Sequence, residues 1–273
     1  MTPVHRSIRP ALVATVIVLA GAGCSDSPDG DATSPATAAT SASTPTTGTA
    51  PDLAAYCDAD LALAQALTAL GEPDQAGLAA LLPQIDALAA LVPDAISEPA
   101  RILHDAFHAA GDDGDLSVLD SDEVASADAD AHAFDLAHCD FDGVPVEAAD
   151  YSFTGDLPTT AGVYSIEATN TGREAHIFLV ARLKDGQTGT AQDAFADAAA
   201  QPDGEPAFGE RFDRVGNTFT VPGAHGFSLV DLQPGQYVLL CPLALGSTAD
   251  NDFRGDGPPH FTQGMLQFFT IAP

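Results

Sequence analysis

The sequence predicts a multidomain chain in which an all-α helical bundle is followed by an all-β Greek-key sandwich, both behind a secretion signal and a tether. Three observations predict this. Apolar residues recur at helical spacing from Leu53 to about Cys139. From residue 149 onward the period shortens to two, in short Val-, Ile-, Phe- and Tyr-containing runs punctuated by Gly and Pro. Residues 25–50 contain no large apolar side chain at all. The expected divisions are 1–23 for the signal, 24–50 for the tether, 51–143 for the bundle and 145–273 for the sandwich.

Arg6 and Arg9 precede an apolar stretch from Ala11 to Ala20, after which small residues run up to Cys24. The stretch is too short for a mature membrane span and has the layout of a signal peptide. Gly21-Ala22-Gly23-Cys24 resembles a bacterial or archaeal lipobox, although Gly21 stands where a larger aliphatic residue is usual. That resemblance implies cleavage before Cys24, a lipid on its thiol, and attachment to the outer face of the cell membrane; simple secretion is the alternative. Residues 25–50, rich in Ser, Thr, Ala, Pro, Gly and Asp, cannot bury a core. As a coil they reach roughly 25–30 Å, enough to hold a folded domain clear of a membrane.

Within the bundle, Leu53, Cys57, Leu61, Ala64 and Leu67 share one face, and Gly71 ends the run as a helix C-cap would. A second helix carries Leu78, Leu81, Leu82, Ile85, Leu88 and Val92, with Pro83 expected to start or kink it. A third runs from about Ser97 to Ala110 and a fourth from about Asp122 to His138. Asp112-Asp113-Gly114-Asp115 and Asp140-Phe141-Asp142-Gly143 fit no EF-hand register and are expected to be solvated acidic turns. His104 and His108, four apart on one helix, have a metal-compatible spacing; with no third ligand evident they are expected to form a polar helix face. His132, His138 and His225 are expected on the surface or in loops.

In the sandwich, strands are expected at Tyr151 to Phe153, Val163 to Ala168, His176 to Arg182, Thr218 to Val221, Phe227 to Leu232, Tyr237 to Leu243 and Leu266 to Ile271. One short helix is expected near Gln192 to Ala200.

Thirty-nine acidic against nine basic residues, with Lys184 the sole lysine, leave a formal charge of −30. Nucleic acid is thereby excluded as a partner, because phosphate contacts require basic patches. Of the four cysteines, Cys24 would be consumed by the lipid that the lipobox resemblance implies, which leaves three in an oxidising compartment, an odd number. Cys57 in the first helix and Cys139 at the end of the last belong to one helical unit, so they are expected to pair. Cys241 is left over, and an unpaired thiol outside the cytoplasm is either buried and inert or committed to a ligand.

Thiol, imidazole and thioether gather near the C-terminus. Tyr237-Val238-Leu239-Leu240-Cys241 is followed, after a polar loop, by His260-Phe261-Thr262-Gln263-Gly264-Met265 and a closing strand, while His176 follows the turn signal Asn170-Thr171-Gly172. Two His, one Cys and a Met form a soft donor set suited to copper. These residues, with the turn Pro234, Gly235, Tyr237 leading into the Cys strand, resemble the cupredoxins over roughly residues 145–273. The resemblance implies a cupredoxin-like sandwich holding one copper ion in a type 1 site through His176, Cys241, His260 and Met265. It implies one-electron transfer with no catalytic residues, and a redox partner meeting an exposed edge at His260. Two features depart from the family. Eighteen residues separate Cys241 from His260, and Ile177 stands where small members often carry a polar residue that ties the ligand loops together. Closing the longer loop is inexpensive, since each doubling in length costs about 0.6 kcal/mol. The same ligands would serve a copper-holding or copper-delivery lipoprotein, and a metal-free binding or assembly module is the third reading.

The N-terminal expectation has a direct check. Cys24→Ser should release the protein from the membrane fraction, followed by fractionation and immunoblotting; a variant that stays membrane-bound and equally processed would rule out the lipid anchor.

Overall fold

The computed structural model describes residues 52–71, 73–201 and 204–273; the signal peptide, Cys24 and the tether expected over residues 1–50 lie outside them. Four helices come first: α1 (Leu53–Leu70), α2 (Gln75–Ala89), α3 (Ser97–His108) and α4 (Asp122–His138). Three begin on residues that satisfy orphan backbone donors. The Asp52 carboxylate accepts from the Ala55 N–H, that of Asp74 from Gly77, and the Ser121 hydroxyl from Val124. Gly71 ends α1 with φ of +73°, as its position in the sequence predicts. The second helix differs from expectation. It starts at its Asp74 cap and runs through Pro83, which lies inside the helix and on its exposed side rather than at its start.

Eight strands follow: β1 (Asp142–Ala149), β2 (Ser152–Thr154), β3 (Gly162–Asn170), β4 (His176–Leu183), β5 (Phe212–Thr220), β6 (His225–Leu232), β7 (Gly235–Leu240) and β8 (Leu266–Ile271). They form two four-stranded sheets in the orders β2-β1-β3-β6 and β5-β4-β7-β8. The chain crosses from one sheet to the other between β3 and β4, β5 and β6, and β6 and β7. Two helices, α5 (Ala191–Ala199) and α6 (Gly204–Arg211), interrupt the run between β4 and β5.

The first strand corrects the expectation of an acidic turn at Asp140-Phe141-Asp142-Gly143. Phe141 is buried, and Asp142 and Gly143 open β1, which pairs in parallel with β3. Val144, Val146 and Ala148 alternate inward. Pro145 obscures this strand in the sequence because it cannot donate to a ladder. It is tolerated because β2 reaches only from Glu147 to Ala149 and leaves Pro145 outside that pairing.

Both sheets are covered on their outer faces. The Phe195 ring of α5 packs against Phe261 and Phe268 beside sheet β5-β4-β7-β8. The bundle covers the other sheet. There Tyr56, Cys57, Ile96, Phe141 and Leu229 form a buried cluster, with Val163 packed on it, and the His132 ring stacks on Phe227 with centroids 3.6 Å apart. His132 is therefore a buried residue rather than the surface one expected. It bonds Glu167 of β3 at 2.8 Å, so the ring packs on one strand and its nitrogen on another. Cys57 and Cys139 are joined as a disulfide within the same region, closing a separation of 82 residues. A cross-link of that span contributes about 2–5 kcal/mol.

A cavity of about 310 Å³ lies between bundle and sandwich, lined in part by Tyr56, Asp60, Asp128, His132, Asp135 and Asn217. Burial raises the carboxyls of Asp60, Asp128 and Asp135, Asp128 to about 7, and repulsion from neighbouring carboxylates adds to the rise at Asp128 and Asp135. The Tyr56 hydroxyl donates to Asp135 at 2.8 Å, which partly offsets the rise there. An acid whose folded pKa lies above its unfolded value of about 3.9 binds more protons when folded. Its stabilising contribution is full below about pH 4 and is lost as pH rises through the folded pKa. Melting temperature should therefore fall between pH 5 and pH 8, and Asp128→Asn should flatten that slope in calorimetric scans. An unchanged slope in the variant would mean that Asp128 does not titrate in this range.

Candidate metal centre

The antiparallel pairing of β4 with β7 sets Leu179 against Leu240 and Arg182 against Tyr237. His176 opens β4 and Cys241 follows the last residue of β7, so this register carries both to the same end of the sheet. The Ile177 N–H donates to the Cys241 sulfur at 3.3 Å, and the Cys241 N–H donates to the Met265 carbonyl at 3.1 Å. At the other end of β7 the Tyr237 hydroxyl donates to the Gln233 carbonyl at 2.6 Å, pinning the turn that leads into the strand.

His260 arrives by the long loop. Residues 242–259 double back on themselves, with an isolated bridge between Ala244 and Pro259. The Leu245 N–H donates to the Pro258 carbonyl at 3.0 Å, and the His260 N–H to the Leu243 carbonyl at 2.7 Å. Within the excursion Thr248 and Asn251 cap each other reciprocally, and Phe253 packs edge-on against Phe219. The insertion is therefore a packed substructure whose two ends lie side by side, and its length leaves His260 next to Cys241. Gly264 then turns the chain with φ of +128°, where a Cβ would stand 2.7 Å from the Tyr151 carbonyl oxygen. Met265 follows, fully buried.

The result is a sealed cluster. His176, Cys241, His260 and Met265 all have no exposed surface. The two Nδ1 atoms of His176 and His260 are 3.2 Å apart, and the Cys241 sulfur lies 3.3 Å from Nδ1 of His260. One donor atom from each of His176, Cys241 and His260 lies within 4.8 Å of the other two. Cys241 is a free thiol. Burial pushes it up to about 12, against the opposing hydrogen bond from Ile177. Burial, followed by the neighbouring His260, lowers His176 to about 4, so its ring is neutral at physiological pH. A neutral imidazole is the form a metal requires, and the thiol would give up its proton to the ion on binding. The donor set thus fits a copper ion, which takes two imidazole nitrogens, a thiolate and a thioether.

Glu174 is the residue that sequence reasoning missed. One carboxylate oxygen accepts from the Tyr151 hydroxyl at 2.8 Å; the other accepts from the backbone N–H groups of Gly246 and Ser247 and lies 3.0 Å from Nε2 of His260. Burial would raise this carboxyl, but the bonds from Tyr151, Gly246 and His260 outweigh it and hold the group below its usual range. As an ionised acceptor it selects the Nε2–H tautomer of His260 and leaves the Nδ1 lone pair facing Cys241. Asn170, fully buried, braces the same corner: its Nδ2 donates to the carbonyls of Glu174 and Thr220, and its Oδ1 accepts from Gly172. The tie between ligand loops that is absent at Ile177 is therefore supplied by Glu174 and Asn170. Their partners stand up to 86 residues away, which no local pattern reveals.

Tyr151 completes the wall. It adopts φ of +70°, a conformation rare for a large side chain, and its ring meets His260 edge-on with centroids 5.4 Å apart. His260 differs from expectation in being buried rather than exposed. Its neighbours in the chain do reach the surface: Pro258 is exposed, and Pro259 and Phe261 are partly exposed.

No family model matches the chain, and no curated protein matches it. Among solved structures, a reduced auracyanin from the photosynthetic bacterium Roseiflexus castenholzii is 19% identical, with 48% of this chain and 97% of that one covered at a TM-score of 0.31. Auracyanin A, a "blue" copper protein from Chloroflexus aurantiacus, is 13% identical over 47% of this chain and 97% of its own, with a TM-score of 0.30. A multi-copper oxidase from Pediococcus acidilactici is 13% identical, covering 48% and 26% respectively at 0.23.

Glu174→Gln keeps the shape and removes the charge, which should cost about 2 kcal/mol through weakened bonds to Gly246, Ser247 and His260. Backbone amides of residues 243–257 should exchange faster in the variant while those of β4 and β7 keep their protection. Equal protection of the loop in both proteins would show that the carboxylate does not hold it.

Proposed function

We propose that this chain is an extracytoplasmic copper protein, anchored by lipid on Cys24, that carries single electrons. His176, Cys241, His260 and Met265 would hold one copper ion, which when bound supplies a Cu(I)/Cu(II) couple. The observation that carries this reading is the convergence of one thiol and two Nδ1 nitrogens in a pocket with no exposed surface.

The protein's own groups fit the task. The Ile177 N–H stabilises negative charge on the Cys241 sulfur once its proton has left. Glu174 fixes the ring of His260, and the β4 ladder fixes the backbone of His176. Met265, buried and joined to Cys241 by a backbone hydrogen bond, would serve as the weak fourth donor. Complete burial excludes water, and donors held in place by separate packing contacts rearrange little when the charge changes. A redox partner would meet the chain at Pro258, Pro259 and Phe261, the surface residues that flank His260 in the sequence. The tether would leave that surface free to reach it, and the acidic exterior selects for partners that are not themselves strongly acidic.

Copper loading tests the reading. The wild type should bind one copper per chain with an intense visible thiolate-to-copper absorption that bleaches on reduction and returns on oxidation. Cys241→Ser should abolish the colour, and Met265→Leu should keep it while shifting the reduction potential. A colourless wild type binding no more copper than Cys241→Ser would overturn the proposal.

A further inference from the structure

A second group of metal-ligating side chains lies in the bundle, formed by α2 and α3. His104 and His108, one turn apart on α3, present their rings side by side with centroids 4.5 Å apart. Asp86 of α2 faces both: its Oδ1 lies 2.9 Å from Nε2 of His104 and 2.9 Å from Nε2 of His108. These three donor atoms all lie within 4.8 Å of one another. Asp86 supplies the third ligand that the spacing of the two histidines alone does not reveal.

The outer nitrogens are also occupied. Nδ1 of His108 lies 3.0 Å from Oδ2 of Asp112, and Nδ1 of His104 lies 3.4 Å from Oδ1 of Asp105. Each imidazole thus has a carboxylate at both nitrogens. A neutral imidazole has only one N–H, so one of the two contacts sets a lone pair against a carboxylate oxygen. A cation at the junction of Asp86 and the two Nε2 atoms resolves both conflicts together. The Nε2 lone pairs and the Asp86 oxygen then point at it, while the Nδ1–H groups donate to Asp105 and Asp112. Carboxylates behind metal-bound histidines orient the rings in this way and raise their basicity.

We propose that Asp86, His104 and His108 form a second metal site, specific for a divalent transition ion of the zinc and copper(II) class. Two imidazoles and one carboxylate suit that class, and hard cations such as calcium prefer all-oxygen sites. A tetrahedral centre with bonds of about 2.0–2.1 Å places its donors about 3.3 Å apart. The present contacts of 2.9 Å need to open by a few tenths of an ångström. Both rings are 31% exposed and Asp86 is 55% exposed, so water can complete the coordination and the ion can exchange. The site is built from residues unrelated to the cluster at Cys241, so it stands or falls independently of the electron-transfer reading.

Zinc titration of the full chain carrying Cys241→Ser, followed by calorimetry, provides the test. That chain should bind one equivalent of Zn²⁺ that is lost when His104→Ala and His108→Ala are added, and Asp112→Asn should weaken binding by about 10–100-fold. Without any histidine substitution, substoichiometric Cu²⁺ added to the Cys241→Ser chain should broaden the imidazole NMR signals of His104 and His108 before those of His138 and His225. The histidine pair should be dispensable for the visible colour of the copper-loaded wild type. Equal Zn²⁺ stoichiometry and affinity with and without the pair, or unperturbed His104 and His108 signals, would show that protonation of the rings and not a metal resolves the contacts.

Discussion

The register between β4 and β7 is the constraint on which the candidate centre depends. With Leu179 opposite Leu240, the first residue of one strand and the residue just beyond the other come to the same end of the sheet, and Ile177 N–H reaches the sulfur of Cys241. A slip of one residue would turn Cys241 to the opposite face, because side chains alternate along a strand. The register is secured by burial on both sides: β4 is covered by the facing sheet and by α5, and nearly every residue in it is buried. The same apolar packing that stabilises the sandwich therefore fixes the distance between two donors of the centre.

The third donor is held by a different kind of force. His260 lies at the end of an excursion with few apolar residues, and polar contacts organise it. Glu174 gathers two backbone N–H groups of that excursion, the Tyr151 hydroxyl and the His260 ring onto one carboxylate. Charge-assisted bonds of this kind are worth about 1.5–3 kcal/mol each, and more when water is excluded. The long loop thus has no need of a hydrophobic core of its own. At the other face of the sandwich, acids serve a contrasting role: buried Asp135 and partly buried Asp60 and Asp128 line a cavity between the domains and resist ionisation there.

Much of this arrangement was legible in the sequence, and the reasons are local. The stop at Gly71, the change of period near residue 149 and the run from His260 to Met265 are all short-range signals. The strand at Asp142 was hidden because Pro145 and two Asp-containing steps read as a turn, whereas its parallel pairing with β3 is a long-range fact. His132 was misplaced for a similar reason. A lone histidine on a helix looks solvated until the sheet that covers it is known. Glu174 and Asp86 share this property: each is an ordinary acidic residue in sequence, and each acquires meaning from partners on another element. In a chain with 39 acidic residues, composition alone gives no reason to single out either one.

The central claim is that Cys241 and two imidazoles bind one copper ion in the buried cluster. X-ray absorption at the copper edge of the loaded full chain, with the Asp86, His104 and His108 site removed by His104→Ala and His108→Ala, tests it most directly. One short copper–sulfur bond and two imidazole nitrogens are expected in the first coordination sphere, with the sulfur contribution absent in Cys241→Ser. A sphere of nitrogen and oxygen donors alone in the wild-type cluster would contradict it.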